Sequence, residues 1–215
     1  MSVRKIPRNR RSLTGYFASL KMQRMVAFES ALERDTFALL EYDPAVEEYV
    51  EQPLHVYYAD GEFKRVHIPD ILAKYKPGWG LDYEHCLFQV KYSEELLARW
   101  SEFHAPLRAA SRYAHNRGWK FKLATERSVK TKFLKNVKLL LPYRGRSLDL
   151  EAAKTVLDAV PDQSDKFSLG DLLSSVEKRL SRRVAAGVIW QLIAWHSLQV
   201  DLHHDVTLHT KVRRS

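Results

Sequence analysis

Apolar and polar residues alternate along two segments in the first half of the chain. Val66, Ile68 and Asp70 occupy every second position of the first segment, and Gln89 and Lys91 lie two residues apart in the second. Successive side chains of a β-strand point to opposite faces of a sheet, so each set lies on one face. We therefore predict two strands that bring Asp70, Gln89 and Lys91 to one site.

Other stretches follow the spacing of helices. Between residues 28 and 42 the apolar positions recur at helical intervals, and Asp43 with Pro44 ends the pattern. A second helix is predicted for Ser93–Asn116, and an alternating segment follows it at Trp119–Thr125. A helix that links two strands favours a parallel crossover, so at least part of the sheet should be parallel. The pattern indicates an α/β domain.

The region after residue 146 has a different pattern, which predicts a separate small domain at residues 147–215, after a turn at Pro142–Arg146. Its predicted elements are helices at 151–160, from Ser168 and at 181–195, then strands around 200–202 and 206–210 with a turn at 203–205. Asp171 completes an S-x-x-D cap for the helix that begins at Ser168. Helices followed by a short hairpin are typical of a winged helix. The third helix is apolar nearly all round, so protein docking is favoured at least as much as base reading.

The charge of the chain favours a polyanionic partner. The formal net charge is +9 and the isoelectric point is near 9.6, and neutralising phosphates releases counterions and so supplies affinity. Residues 1–27 contain no Asp or Glu and are predicted to form a basic arm that orders on nucleic acid. The candidate DNA contacts are Arg8, Arg10, Arg11, Lys21, Lys130 and Lys132. A solvated tail and a solvated helix face are the alternatives.

Cysteine usage and hydropathy suggest the compartment. Cys86 is the one cysteine, which excludes an internal disulfide framework and fits a reducing interior. The longest apolar run, Val184–Trp195, is shorter than the roughly 20 residues that cross a bilayer, so we predict no membrane span. An intracellular protein is therefore expected.

The residues of the two alternating segments suit metal-assisted phosphodiester chemistry. The Asp70 carboxylate can hold a divalent cation, while the Gln89 amide oxygen and the Lys91 ammonium can ligate it and steer a water. A half-buried strand with a polar side is the alternative. The adjacent pair His203 and His204 lacks further ligands at zinc-like spacing and is predicted to lie in a turn.

Several short motifs occur together in a characteristic order. They are Thr14-Gly15, Ser19-x-Lys21, Phe28-Glu29-Ser30-x-Leu32-Glu33-Arg34-Asp35, Gln52-Pro53, Pro69-Asp70 and Gln89-Val90-Lys91. In this set the chain resembles TnsA, the endonuclease subunit of Tn7-like transposition systems, over most of residues 12–126. The resemblance implies a restriction-endonuclease-like fold, a mixed sheet flanked by helices, for residues 28–146. It also implies metal binding by Glu33, Asp70 and Gln89 and a catalytic role for Lys91.

The resemblance further implies a bacterial protein that acts on DNA in the cytoplasm, and it implies a reaction and partners. The cofactor would be Mg²⁺, with Mn²⁺ as a substitute, and the substrate would be double-stranded DNA at the 5′ ends of a transposon. A TnsB-type DDE transposase would cut the 3′ ends, and a TnsC-type ATP-dependent regulator would dock on the C-terminal domain. A stand-alone restriction or repair nuclease and a non-catalytic DNA-binding adaptor remain alternatives.

Overall fold

The computed structural model describes residues 13–162 and 166–215. The chain divides into two compact units, one extending through Lys130 and the other from Thr131 to Ser215. This division falls earlier than the boundary at 146/147 predicted from the sequence.

The first unit contains eight strands and four helices among its described residues. In chain order they are β1 (Gly15–Ser19), β2 (Arg24–Phe28), α1 (Ala31–Tyr42), β3 (Val46–Glu51), β4 (Val56–Asp60), β5 (Phe63–His67), β6 (Ile71–Tyr75), β7 (His85–Val90), α2 (Ser93–Ala98), α3 (Trp100–His115), β8 (Lys120–Ala124) and α4 (Glu126–Val129). Phe37, Tyr49, Ile71 and Leu87 are fully buried in its core.

A four-stranded mixed sheet in the order β3-β6-β7-β8 carries the candidate site. β6 is antiparallel to both of its neighbours, whereas β7 and β8 are parallel. This confirms the α/β class and the parallel crossover. The predicted helix that makes the crossover is divided at Arg99 into α2 and α3, and α2 begins after Tyr92 without a side-chain cap.

The chain begins its described part with a hairpin. β1 and β2 pair antiparallel, and Gln23 adopts a positive φ of 51° in the connecting turn. The Glu41 carboxylate of α1 fixes this turn because it accepts hydrogen bonds from the Ser19 hydroxyl at 2.6 Å and from the Leu20 and Lys21 amides at 3.0 Å. The prediction of an unstructured arm is therefore wrong for residues 15–27.

Helix α1 begins three residues later than the sequence predicts. Phe28 is the last residue of β2, and Ser30 caps the helix by accepting a hydrogen bond from the Glu33 amide at 3.1 Å. The helix ends at Tyr42 before Asp43, as predicted. Glu29 and Glu33 therefore do not share a helix face, because Glu29 precedes the helix.

The second unit contains four helices and two short strands among its described residues. They are α5 (Lys132–Arg144), α6 (Leu150–Asp158), α7 (Leu169–Val176), α8 (Arg182–Ala194), β9 (Leu198–Val200) and β10 (Val212–Arg214). The predicted S-x-x-D cap of α7 is confirmed, since Ser168 accepts from the Asp171 amide at 3.2 Å. Helix α5 continues through Pro142 to Arg144, where a turn was predicted.

The strands at the end of the chain differ from the prediction. β9 and β10 pair antiparallel through Val200 and Val212, whereas alternation favoured strands around 200–202 and 206–210. Side-chain turns explain the difference, because Thr207 and Thr210 bond locally to backbone amides within residues 207–210. No helix in the described part of the chain is long and apolar enough to cross a membrane.

Candidate active site

Strands β4 and β5 pair antiparallel in a separate two-stranded sheet, the peripheral hairpin. Asp70 lies where this hairpin joins the four-stranded sheet. The chain leaves β5 at His67 and enters β6 at Ile71, so Asp70 directly precedes β6, and the prediction that it continues the strand of Val66 and Ile68 is wrong. The Asp70 amide donates to the Phe88 carbonyl at 3.1 Å, and the Asp70 carbonyl accepts from the Gln52 amide at 2.7 Å. Backbone bonds on both sides therefore hold this residue in place.

Three polar residues form a row across the end of the sheet. Ile71 is opposite Glu51 on one side and Phe88 on the other, so the next position of each strand aligns Gln52, Asp70 and Gln89. Residues that are directly opposite in antiparallel strands share a face. The predicted meeting of Asp70 with Gln89 follows from this register.

The Asp70 and Gln89 side chains are bonded directly. Asp70 Oδ2 accepts from Gln89 Nε2 at 2.5 Å and from the Val90 amide at 2.6 Å. On its other side, Gln89 Oε1 lies 2.8 Å from His67 Nε2. Gln89 is buried, with 3% of its surface exposed, so its amide depends on these protein partners. The sequence analysis did not identify His67.

Glu33 reaches the site from the first turn of α1. Its Oε2 accepts from the Glu29 amide at 2.9 Å, and its Oε1 accepts from the Ser30 hydroxyl at 3.0 Å. Ser30 and Glu33 thus bond to each other twice, because the Ser30 hydroxyl also accepts from the Glu33 amide at 3.1 Å. The S-x-x-E spacing in the sequence could have revealed this pair.

Electrostatics connects Glu33, Asp70 and Lys91. Burial raises the pKa of the Asp70 carboxyl to about 8, and the Glu33 charge adds to that rise while Lys91 opposes it. Burial also raises the pKa of Glu33, against the hydrogen bonds from Glu29 and Ser30 and the charge of Lys91. Asp70 therefore lies within electrostatic range of Glu33 and Lys91 and is hydrogen-bonded to Gln89.

Lys91 is fixed just beyond the end of β7. Its amide donates to the Ala124 carbonyl at 3.0 Å, and its Nζ lies 5.5 Å from the centroid of the Phe103 ring. Burial and the Lys91 charge lower the pKa of His67, although its bond to Gln89 opposes them. The imidazole is therefore favoured in its neutral form.

Gln52 and Glu29 form a further polar pair beside this row. Gln52 Nε2 donates to Glu29 Oε1 at 3.2 Å, which fixes the amide because a reversed amide would turn its oxygen toward a carboxylate. Gln52 Oε1 is buried without a hydrogen-bond partner. Gln52 also has a positive φ of 44°. The sequence analysis noted the Gln52-Pro53 motif but assigned Gln52 no role in the candidate site.

The donor set fits a hard divalent cation. The Glu33 charge raises the pKa of Asp70, and a cation would relieve this repulsion. Carboxylate and amide oxygens are ligands that magnesium and calcium accept. No group of three His, Cys, Asp or Glu suited to a metal occurs in residues 13–162 and 166–215. Glu33, Asp70 and Gln89 remain the residues that would hold the ion, with waters and phosphate oxygens completing its shell.

The predicted DNA-binding residues have different surroundings. Lys21 Nζ donates to the Leu40, Asp43 and Val46 carbonyls at the end of α1, which gives it a structural role. Lys130 is exposed beside the Tyr92 ring. Lys132 is exposed and pairs with Asp205 at 2.7 Å. Arg8, Arg10 and Arg11 lie outside the described residues.

A mixed sheet with a carboxylate, an amide and an ammonium group at one end is consistent with an endonuclease-like fold. Residues 43–126 match the family model described as TnsA-like endonuclease N terminal. This confirms the resemblance found in the sequence: the chain carries a TnsA-like endonuclease domain. The matched residues include Asp70, Gln89 and Lys91 but not Glu33. A search of curated proteins found no match.

Proposed function

We propose that the protein is the Mg²⁺-dependent endonuclease subunit of a Tn7-like transposase, with Mn²⁺ as a substitute cofactor. It would cleave the 5′ ends of the transposon beside a TnsB-type DDE transposase and under a TnsC-type ATP-dependent regulator. The observation that carries this proposal is the convergence of Asp70, Gln89, Glu33 and Lys91 at one end of the sheet. The family match over residues 43–126 supports it.

Each side chain has a defined task in this proposal. A bound divalent cation would polarise the scissile phosphate and acidify a water. Asp70, Gln89 and Glu33 supply the oxygens that hold it. The Lys91 ammonium orients the attacking water or stabilises negative charge on the displaced oxygen.

Burial of the Asp70 and Glu33 carboxylates would make cleavage depend on both the divalent cation and the DNA substrate. Their raised pKa values mean that each negative charge is costly in this environment. One amide and two carboxylates make a weak cage for magnesium, which phosphate oxygens would complete. The protein should therefore cleave efficiently only when DNA and its partners are assembled.

Strand-specific cleavage tests the proposal. Transposon-end DNA labelled on either strand is incubated with the protein, a TnsB-type transposase and a TnsC-type regulator, with MgCl₂ or with EDTA. We expect a Mg²⁺-dependent cut at the 5′ end. Asp70→Asn and Lys91→Met should lower its rate by at least about 100-fold, as expected for groups acting in the transition state.

Other outcomes favour the alternatives. Strong cleavage of unrelated duplex by the isolated protein would favour a stand-alone nuclease. Unchanged end cleavage by Asp70→Asn would favour the non-catalytic adaptor. Lys74→Met is a matched control, since Lys74 pairs with Glu47 at 2.9 Å on the same sheet but belongs to no part of the site.

We further propose that the C-terminal unit is a winged-helix-like docking module for the regulator. Helices α6, α7 and α8 precede the antiparallel pair β9 and β10, and the inner residues of α8 are buried. An apolar groove of about 260 Å³ includes Ile189, Trp190 and Leu208 in its lining. The change Leu208→Asp at this half-exposed position should weaken regulator binding, whereas Leu150→Asp, at an exposed position of α6, should not.

A further inference from the structure

We propose that His67 is a positioning residue that sets the orientation of the Gln89 side-chain amide and thereby its ability to bind a cation. This inference rests on the proposed function and assigns a role to a residue outside the predicted site. His67 is the last residue of β5, and it reaches the site from the peripheral hairpin.

The observed orientation of the amide is opposite to the one a cation needs. Gln89 presents its nitrogen to Asp70 at 2.5 Å and its oxygen to His67 at 2.8 Å. If Gln89 were to hold a cation beside Asp70, its side chain would have to offer the amide oxygen, because an amide NH₂ carries only donors. The Gln89 amide would then have to turn by about half a revolution from its present orientation.

The neutral imidazole can accept both orientations. With hydrogen on Nε2, His67 donates to the Gln89 oxygen, which is the observed arrangement of heavy atoms. With hydrogen on Nδ1, its Nε2 becomes an acceptor for the turned amide. The same contact can thus hold Gln89 against Asp70 or present the Gln89 oxygen to a cation. No group changes its net charge in this exchange.

Because Gln89 is buried, its turned amide needs His67 as a hydrogen-bond acceptor. Gln89 has 3% of its surface exposed, so water cannot replace a lost acceptor for its NH₂ group, and an unsatisfied buried donor costs about 1–3 kcal/mol. Without His67, the turned amide would leave its nitrogen unpaired. The Asp70-bonded orientation would then be favoured, and the cation would bind more weakly.

A double-mutant cycle tests this mechanism. His67→Phe removes both ring nitrogens, His67→Gln places an amide near the position of Nε2, and Gln89→Glu supplies two equivalent oxygens that need no orientation. The half-saturating Mn²⁺ concentration is read from the rise in melting temperature of the full-length protein without DNA. Mg²⁺-dependent end cleavage is measured in parallel.

We expect His67→Phe to raise the half-saturating Mn²⁺ concentration by about 10–100-fold, the usual effect of losing a partner of a metal ligand. His67→Gln should restore most of the affinity. In the Gln89→Glu background the same His67→Phe change should cost less than about threefold. His55→Phe, at an exposed position just before β4, should leave the affinity unchanged.

Two results would overturn the inference. An equal loss in the wild-type and Gln89→Glu backgrounds would show that His67 does not act through the amide, and an unchanged Mn²⁺ affinity in His67→Phe would show that it does not act on binding. Should His67→Phe fail to fold, His67→Leu takes its place in the same cycle. Failure of the proposed function is distinguishable because it is read from end cleavage: wild-type protein would then not cut the transposon end, or Asp70→Asn would cut it as fast as wild type.

Discussion

Replacing Asp70 by Asn should stabilise the protein at neutral pH while abolishing cleavage. The folded environment raises the Asp70 pKa from 3.8 to about 8. An acid with a raised pKa binds protons more tightly in the folded state, so stability is greatest at low pH and falls as the pH rises from about 4 to 8. Asn has the shape of Asp without the charge, so it escapes this loss.

The size of the effect follows from the same shift. At pH 7 the gap above the unfolded value is about three pKa units, and each unit corresponds to about 1.4 kcal/mol, so the upper limit is about 4 kcal/mol. Asp70 retains some solvent exposure, which reduces the cost of its charge. We expect Asp70→Asn to gain about 2–4 kcal/mol at pH 7 and at most about 1 kcal/mol at pH 4.5.

Denaturation in urea with EDTA, between pH 4.5 and 8, measures this difference. The control is Asp60→Asn, because Asp60 forms an exposed pair with Arg65 at 2.9 Å and exposed pairs contribute little. A stability difference that stays constant across the pH range, or an Asn variant that is less stable at pH 8, would refute the reasoning.

Three further predictions concern other contacts. Lys21→Met should cost about 2–4 kcal/mol of unfolding free energy in denaturation, because three carbonyls lose a charged donor, and it should leave DNA affinity in a gel-shift assay unchanged. Gln52→Leu removes an unpartnered buried oxygen together with the amide that donates to Glu29 Oε1, so the two effects should offset each other and leave the unfolding free energy in EDTA within about 1 kcal/mol of wild type; a larger loss in denaturation would contradict this. Asn136→Ala should cost about 2 kcal/mol in denaturation, because its amide donates at 2.8 and 2.7 Å to the Leu202 and His204 carbonyls; an unchanged midpoint would contradict this.

The sequence was most informative where one local pattern determines the structure. Alternation put Gln89 and Lys91 on one face, and helical spacing with Asp43 as a stop defined the end of α1. The Ser168 and Asp171 cap is local too, and it was predicted correctly. In each case the residues that decide the structure are close in the chain.

The prediction failed where distant residues compete with local preference. The segment before Phe28 looked like a basic arm, but Glu41, more than twenty residues away, fixes its turn through three hydrogen bonds. The basic residue Lys21 similarly serves the end of α1. Such roles depend on which distant residue a side chain contacts, and composition does not reveal that contact.

Contacts between residues distant in the chain were also missed inside the candidate site. The row of Gln52, Asp70 and Gln89 depends on strand register, which alternation alone does not specify. His67 was missed because it belongs to a different sheet from Gln89, and nothing in the spacing of the two residues indicates a contact.

The short connection from β5 to β6 links the peripheral hairpin to the candidate site. His67 and Asp70 bracket a two-residue link that includes buried Pro69, whose ring restricts the backbone. The imidazole at the end of β5 contacts the Gln89 amide of β7, so any displacement of β5 would also move His67 relative to that amide. The orientation of Gln89 is therefore coupled to the position of a hairpin that belongs to a different sheet.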